Sequence, residues 1–151
     1  MEVTKQDLIN SHNRIKPFIH DTPVLTSNYV NEITGAEVYF KCENFQKMGA
    51  FKMRGAANAI LRLSDEQKNN GVVTHSSGNH AQAISLAAKK IGIKAYIVMP
   101  SNAPKIKKEA VKGYGGELIE CESNIEAREA AAKDIVDSKN ATFIHPSNNL
   151  D

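Results

Sequence analysis

The sequence is poor in the features that mark cross-linked, membrane-spanning or nucleic-acid-binding proteins. Its two cysteines, Cys42 and Cys121, lie far apart and outside any Cys-x-x-Cys pair, so neither a disulfide framework nor a zinc site is indicated. The segment from Met1 to Lys16 lacks the apolar core of a signal peptide, and no apolar run is long enough to cross a bilayer. A formal net charge of +2 gives no strong attraction to nucleic acid or to a membrane surface. We therefore expect a cytoplasmic protein that binds neither nucleic acid nor a membrane.

Phosphate-binding glycine patterns are also missing. No G-x-G-x-x-G occurs, which counts against a nucleotide-binding α/β domain as the function. The basic cluster of Lys105, Lys107 and Lys108 is typical of a solvated helix face. With 41% hydrophobic and 24% charged residues, the 151-residue chain has the composition of a globular protein. Its length suggests one domain, or one domain and part of another.

The second half of the chain alternates between strand and helix patterns. Strands are predicted near 72–75, 95–99, 117–121 and 142–145, and helices near 79–91, 104–112 and 124–138. This β-α-β-α-β-α-β order predicts an α/β fold with an open parallel sheet and right-handed crossovers. Sites in such sheets lie beyond the carboxyl ends of the strands.

The first half has weaker but recognisable signals. Thr4 and Asp7 are suited to begin a helix that Pro17 ends. The other predictions are a short helix from Ser27 or Asn28 to Gly35, an extended stretch at 22–25, a strand at 37–42, a helix at 51–63, and a polar boundary at 64–71.

Lys52 is the first chemically unusual residue. It stands where a helix begins, directly after Gly49-Ala50-Phe51, although the positive end of a helix favours anions. A desolvated amine that acts as a nucleophile or base, for example in a Schiff base, would explain a lysine at this point. A surface lysine on a fraying helix end is the alternative.

A polar loop, residues 76–80 and here called the serine loop, follows the strand at 72–75. Its sequence is Ser-Ser-Gly-Asn-His, and a helix pattern begins immediately after it. Backbone N–H groups at such a strand-to-helix junction bind carboxylates or phosphates. An ordinary helix cap needs one such polar residue, and this loop has four around a single glycine.

These two motifs carry a family resemblance. Residues 50–56 (Ala-Phe-Lys-Met-Arg-Gly-Ala) and 76–83 (Ser-Ser-Gly-Asn-His-Ala-Gln-Ala) resemble the serine racemase and threonine dehydratase family, whose members are fold type II pyridoxal phosphate enzymes. Collinear likeness extends through the stretches at 22–27, 40–47, 97–100 and 113–115. Ala50, where a serine often precedes Phe-Lys, makes the chain also similar to 3-hydroxyaspartate dehydratases.

The resemblance implies a fold and a division of the chain. Fold type II enzymes, of the tryptophan synthase β-like kind, insert a small α/β domain into a larger one and bind the cofactor between them. Residues 1–71 would be the first part of the large domain, 72–147 the small domain, and 148–151 the start of the return to the large domain. The family's chain continues beyond this point, so we expect a fragment that binds pyridoxal phosphate weakly and turns over little by itself.

The resemblance also implies roles around the cofactor. Lys52 would carry pyridoxal phosphate and exchange the proton at one face of the substrate Cα. Phe51 would pack on the cofactor ring, although a core aromatic is its alternative role, and Asn79 would hydrogen-bond the ring's phenolic oxygen. Ser77 would act from the opposite face, as in serine racemases, unless it is only a helix cap. Two bases permit racemisation, and one base with loss of the β-hydroxyl gives dehydration.

Further residues would bind the substrate. By resemblance, Ser76, Gly78 and His80 join Ser77 and Asn79 in gripping the carboxylate of a small amino acid, although His80 is also explained as a helix-start residue. Arg128 would approach the substrate and suits a second carboxylate, as on 3-hydroxyaspartate. A solvated surface arginine is the alternative for Arg128.

Animal-type relatives suggest activators and an oligomeric state. Positions that line an ATP site at a homodimer interface in those enzymes match Ser27, Lys47, Gln82, Lys107 and Tyr114. Asn28 and Met48 depart from them. The carboxylates that hold Mg²⁺ in racemases lie beyond Asp151 in the family, so no metal ligand is predicted in this chain. A non-catalytic module that pairs with a longer paralogue is the rival to the enzymatic interpretation.

Overall fold

A computed structural model describes residues 3–146. The helices are α1 (Lys5–Ile15), α2 (Asn28–Thr34), α3 (Lys52–Leu61), α4 (Asp65–Asn70), α5 (Asn79–Ile91), α6 (Lys105–Gly113) and α7 (Ile125–Lys139). The strands are β1 (Val24–Thr26), β2 (Tyr39–Lys41), β3 (Val72–His75), β4 (Ala95–Pro100), β5 (Glu117–Cys121) and β6 (Thr142–Phe143). Short 3-10 turns span Lys16–Phe18, Glu43–Phe45 and Lys47–Gly49.

The second half forms the predicted sheet. Strands β3 to β6 pair in the order β5-β4-β3-β6, and every pairing is parallel. Val72 lies opposite Ala95 on one side and opposite Thr142 on the other. Helices α5, α6 and α7 make the crossovers that parallel neighbours require. The predicted α/β fold with an open parallel sheet is confirmed.

Alternation along β3 builds a core on each face of this sheet. Val72 packs in the larger cluster, with side chains of α3, α5 and α6, whereas Val73 packs in the smaller one, with side chains of α7. Both valines are fully buried. Burial of a valine-sized side chain stabilises the fold by about 1.5–3 kcal/mol. Burial on both faces of the sheet therefore holds helices against each of them.

Helix α3 is fastened to α5 through one buried face. Met53 and Ile60 have no exposed surface, and Ala56 and Ala57 between them are at most 2% exposed. Alanines allow the two helices to approach closely, so they bury a dense interface. The helix that begins at Lys52 is thereby held rigidly against the helix that follows the serine loop.

The first half contains a small antiparallel ribbon. β1 pairs with β2, with Leu25 opposite Phe40. Thr4 and Asp7 form the predicted capping box of α1, and Ser27 caps α2. The strand predicted at 37–42 is confirmed with shorter bounds, and all its residues are exposed.

The polar segment at 64–71, predicted to be a boundary, is mostly helix α4, which the sequence analysis did not predict. Ser64 accepts a hydrogen bond from the Gln67 backbone, and the Gln67 side chain accepts one from the Ser64 backbone. This Ser-x-x-Gln pattern is a capping box that could have revealed the helix. The division into residues 1–71 and 72–147 stays a prediction, and the part of it at 147–151 lies outside the described residues.

Candidate active site

Helix α3 begins at Lys52, as the sequence predicts. The chain turns sharply just before it, since Met48 and Gly49 both have positive φ, and Ala50 is extended. Positive φ is costly for a residue with a side chain such as Met48, so the surrounding packing must hold this turn. Phe51, the residue before the helix, supplies no side-chain cap.

The Lys52 amine lies against protein rather than free in solvent. Its Nζ donates a hydrogen bond to the Pro146 carbonyl at 3.0 Å and lies 5.6 Å from the centroid of the Phe51 ring. Phe51 itself is 57% exposed, so its interpretation as a core aromatic is wrong. An exposed ring beside a half-buried amine leaves one aromatic face available to a ligand.

The serine loop occupies the carboxyl end of β3. Ser76 N–H donates to the Val98 carbonyl and extends the ladder by one bond. Gly78, the residue before α5, forms no side-chain cap, and Ser76 Oγ instead accepts from the Gly78 N–H at 3.2 Å. The ordinary-cap interpretation is therefore wrong. A Cβ built on Gly78 would meet nothing within 4 Å, so open space faces the start of α5.

A cavity of about 390 Å³, here called the site cavity, joins the serine loop to α7. Its lining residues are His75, Ser76, Ser77, Gly78, Ile125, Arg128, Glu129 and Pro146. Arg128 Nε donates to the Asn124 carbonyl at 3.2 Å, which orients the guanidinium along its own helix. Pro146 both lines this cavity and accepts the hydrogen bond from Lys52. The structure thus brings Lys52, the serine loop and Arg128 to one region.

His80 is buried beneath this region and is neutral at neutral pH. Burial lowers the pKa of its imidazole to about 4, although a contact with the Ile144 carbonyl opposes this, and the positive charge of Lys52 lowers it further. The distance from His80 Nε2 to that oxygen is 3.4 Å. Ile144 and Pro146 belong to one short segment, so His80 and Lys52 both anchor the chain that follows β6.

Three rings beside the site cavity were not predicted. His75 stacks at 5.4 Å from Phe143, and His145 lies 6.2 Å from His75, measured between ring centroids. Burial, and then the nearby Arg128 charge, lower the pKa of His75. His75 ends β3 and His145 follows β6, so their positions at carboxyl ends of parallel strands were the available signal.

The five residues matched to a nucleotide site lie elsewhere. None of Ser27, Lys47, Gln82, Lys107 and Tyr114 lines the site cavity. Ser27 caps α2, and Gln82 is buried on α5. Burial, and then the charge of Lys90, lower the pKa of Lys47.

His80 makes the fold sensitive to mild acid. Because its pKa is lowered from 6.5 to about 4, the stability it contributes is complete above pH 6.5 and is lost as the pH falls through this window. We expect the free energy of unfolding to drop by about 2–3 kcal/mol between these limits. Urea unfolding at a series of pH values measures the slope.

Two variants show whether His80 causes the fall in stability with pH. His80→Asn should remove most of the loss between pH 6.5 and 4, whereas His12→Asn, which changes an exposed histidine, should retain it. An unchanged slope in His80→Asn would show that other groups cause the acid sensitivity.

Comparison with known proteins decides the family. Residues 15–151 match the family described as "Pyridoxal-phosphate dependent enzyme". The chain belongs to this family. A serine racemase of Dictyostelium discoideum is 50% identical over 148 residues, which are 98% of this chain and 46% of that protein. A beta-hydroxyaspartate dehydratase of Paracoccus denitrificans is 50% identical over 145 residues, which are 96% of this chain and 46% of that protein.

The fold agrees with this membership. The crystal structure of the Dictyostelium discoideum serine racemase matches with a TM-score of 0.94 at 50% identity, and the match covers 98% of this chain and 48% of that chain. The resemblance to the serine racemase and threonine dehydratase family, with its fold type II architecture, is confirmed. The chain spans about half the length of these relatives.

The family implies pyridoxal phosphate, and the described residues fit its reactive end. They provide an amine at Lys52, an exposed ring face at Phe51, and the uncapped start of α5 with open space at Gly78. Gly115 and Gly116 do not form a loop for the cofactor phosphate, because Gly115 is a turn residue and Gly116 is packed against neighbouring side chains.

Residues 3–146 contain no group of three or more His, Cys, Asp or Glu side chains placed to hold a metal ion. Within the same residues, no helix is both long and apolar enough to span a membrane.

Proposed function

We propose that this chain supplies the lysine and the substrate loop of an enzyme that racemises or dehydrates small hydroxy-amino acids such as serine. One observation carries the proposal. The Lys52 amine, at the start of α3, donates a hydrogen bond to the Pro146 carbonyl, and Pro146 lines the same cavity as Ser76–Gly78 and Arg128. The similar serine racemase and beta-hydroxyaspartate dehydratase support both reaction types.

The residues then have distinct roles. When bound, pyridoxal phosphate acts as an electron sink that makes the substrate Cα–H acidic. Lys52 would hold the cofactor through its amine, Phe51 would cover one ring face, and Asn79 would hydrogen-bond the phenolic oxygen. The uncapped N–H groups at the start of α5, with Ser76 and Ser77, would orient the substrate carboxylate.

Proton transfer at Cα decides between the two reactions. Lys52 would move the proton on one face and Ser77 on the other, which gives racemisation. If Lys52 alone moves the proton, the outcome is dehydration by loss of the β-hydroxyl. A second carboxylate on the substrate would find Arg128 at the wall of the site cavity, which supports a 3-hydroxyaspartate dehydratase as the alternative. A threonine dehydratase is the other alternative, and its substrate would not use Arg128 in this way.

The remaining expectations also belong to this proposal. Residues 1–71 and 72–147 would be parts of a large and a small domain in a homodimeric protein, and His80 would belong to the loop that grips the substrate carboxylate. ATP would bind near Ser27, Lys47, Gln82, Lys107 and Tyr114, and Mg²⁺ would bind outside these residues. Cys42 and Cys121 are free thiols, which supports the cytoplasm as the location.

Reductive labelling tests the proposal. The chain is incubated with pyridoxal phosphate, reduced with borohydride, digested, and mapped by mass spectrometry. We expect the label on Lys52, because its half-buried amine lies beside the Phe51 ring and the serine loop. Reduction traps even weak binding, so a phosphate site outside these residues is not required.

Matched lysines make the labelling decisive. Lys52→Ala should lose the specific label, whereas Lys47→Gln, only five residues earlier, should keep it. Unfolding the chain in urea should spread the label over all lysines. The proposal is wrong if the folded chain shows that spread pattern too.

A non-catalytic role has one supporting observation. Apolar side chains on β1, α2 and β2 are exposed, namely Val24, Leu25, Tyr29, Ile33, Tyr39 and Phe40. Exposed apolar surface of this kind favours association. Pairing with a longer paralogue would appear as co-elution in gel filtration, and Leu25→Ser should weaken it without affecting the Lys52 label.

A further inference from the structure

A second cavity shares no residue with the site cavity. It has a volume of about 490 Å³ and is here called the basic cavity. Its lining residues are His12, Lys16, Ile19, His20, Asp21, Lys41 and Arg54. They come from α1, the segment after it, β2 and α3, so tertiary packing and not one helix face assembles them.

The acids near this cavity lie beside two of its basic residues, Arg54 and Lys41. Glu43, which does not line the cavity, accepts from Arg54 Nε at 2.8 Å and from Arg54 Nη2 at 2.7 Å. The Arg54 guanidinium holds the pKa of Glu43 at about 2, so the pair stays ionised. Lys41 donates to the Thr22 carbonyl at 2.7 Å. Asp21, 3.9 Å from the Lys41 amine, has a fully exposed side chain that faces water.

The remaining basic groups of the lining belong to Lys16, His12 and His20. Within residues 3–146, no hydrogen bond or ion pair holds the Lys16 amine or the His12 ring. His20 is held in place, because its backbone N–H donates to Gln46 Oε1 at 2.7 Å and its Nδ1 lies 3.1 Å from the Phe45 carbonyl. Because a carbonyl oxygen only accepts, Nδ1 carries the hydrogen of that contact, and Nε2 donates to an anion only when the ring is doubly protonated.

We propose that the basic cavity binds a phosphoryl group, as inorganic phosphate or as a small phosphate monoester. Lysine amines are effective phosphate partners as point charges, and the unpartnered His12 ring adds an N–H donor for a charge-assisted hydrogen bond. The volume falls within the range of small-molecule sites, so it accommodates phosphate with a modest organic group. Glu43 balances Arg54 and Asp21 lies near Lys41, so the excess positive charge of the lining comes from Lys16.

A helix-dipole explanation covers only part of this arrangement. Basic residues near its carboxyl end stabilise the negative end of a helix, and this accounts for His12 in the last turn of α1 and for Lys16, which follows that helix. It does not account for Lys41 on β2 or Arg54 on α3, which converge on the same space. The two explanations predict different effects of phosphate on the stability of the chain, and the experiment measures that difference.

Phosphate titration tests the inference on the whole chain. The thermal midpoint and the heat of binding are followed as inorganic phosphate replaces chloride at constant ionic strength. A bound ligand stabilises the folded state in a saturable way, so we expect a midpoint that rises and then levels off. A parallel titration with adenosine monophosphate separates the two sources of the phosphoryl group. If the cavity is a monoester site, adenosine monophosphate should saturate it at a lower concentration than inorganic phosphate does.

Charge variants assign the effect to this cavity. Lys16→Gln should weaken phosphate binding about tenfold, Lys16→Arg should retain it, and Lys112→Gln, on exposed α6, should leave it unchanged. A dipole role alone would lower the midpoint of Lys16→Gln equally in chloride and phosphate. That result, or a linear response without saturation, overturns the inference. Lys52 does not line the basic cavity, so Lys52→Ala should bind phosphate as the unchanged chain does. The phosphate test therefore remains valid even if the proposed function is wrong.

Discussion

Replacing Gly116 with alanine is expected to destabilise the fold by about 3 kcal/mol, the upper end of the cost of overpacking a core. A Cβ at this position would lie 2.4 Å from Ser85 Oγ, 2.9 Å from Val111 Cγ1 and 3.0 Å from Ile97 Cγ1. Ser85 is fully buried and donates to the Ala81 carbonyl at 2.8 Å, so its hydroxyl cannot move aside without loss of that bond. The strain would therefore spread into α5, α6 and β4 together.

Gly113 provides the matched control. It ends α6, and a Cβ built on it meets nothing within 4 Å. Alanine there should be neutral or stabilise the helix by about 0.5–1 kcal/mol. Urea unfolding of both variants measures the difference in free energy. Equal stabilities for the two would mean that the packing around Gly116 is looser than the structure shows.

The second large effect concerns Ser77→Ala in a polypeptide that contains the complete family fold. If Ser77 moves the proton on the face opposite Lys52, its loss should slow serine racemisation by about 10²–10⁴-fold, the usual contribution of a positioned acid or base. Dehydration, which needs only Lys52, should be retained. Rates of D-serine and pyruvate formation from L-serine measure the two reactions separately.

Two further variants serve as controls for Ser77→Ala. Ser123→Ala changes an exposed serine before α7 and should affect neither rate, whereas Lys52→Ala should abolish both. Equal loss of racemisation and dehydration in Ser77→Ala would assign the residue to substrate binding instead. Retention of both rates would remove Ser77 from the reaction and favour a dehydratase.

Local patterns were sufficient for much of the fold. β-branched runs and glycines at the element ends predicted the four parallel strands and three helices of the second half with small errors in their bounds. These signals act over a few residues, so they survive without knowledge of the tertiary structure. The same kind of signal was present at Ser64 and Gln67, and helix α4 was missed because its polar composition also suits a loop.

The candidate site could be predicted only in pieces. Lys52 was identified because its place at a helix start conflicts with the helix dipole, and the serine loop because it exceeds the needs of a cap. That Phe51 is exposed could not be predicted, since an aromatic residue suits a core equally well. The rings of His75, Phe143 and His145 were missed because their partners come from two separate strands and the segment after them.

The sequence alone therefore determined the order of the elements, the parallel sheet and the two chemically unusual motifs, because each depends on neighbours along the chain. Only the tertiary structure decided that Lys52 meets Pro146, 94 residues away, and that Arg128 shares a cavity with the serine loop. Both meetings depend on the burial of α3 against α5 and of α7 against the sheet, and such packing is a property of the whole core rather than of any short segment.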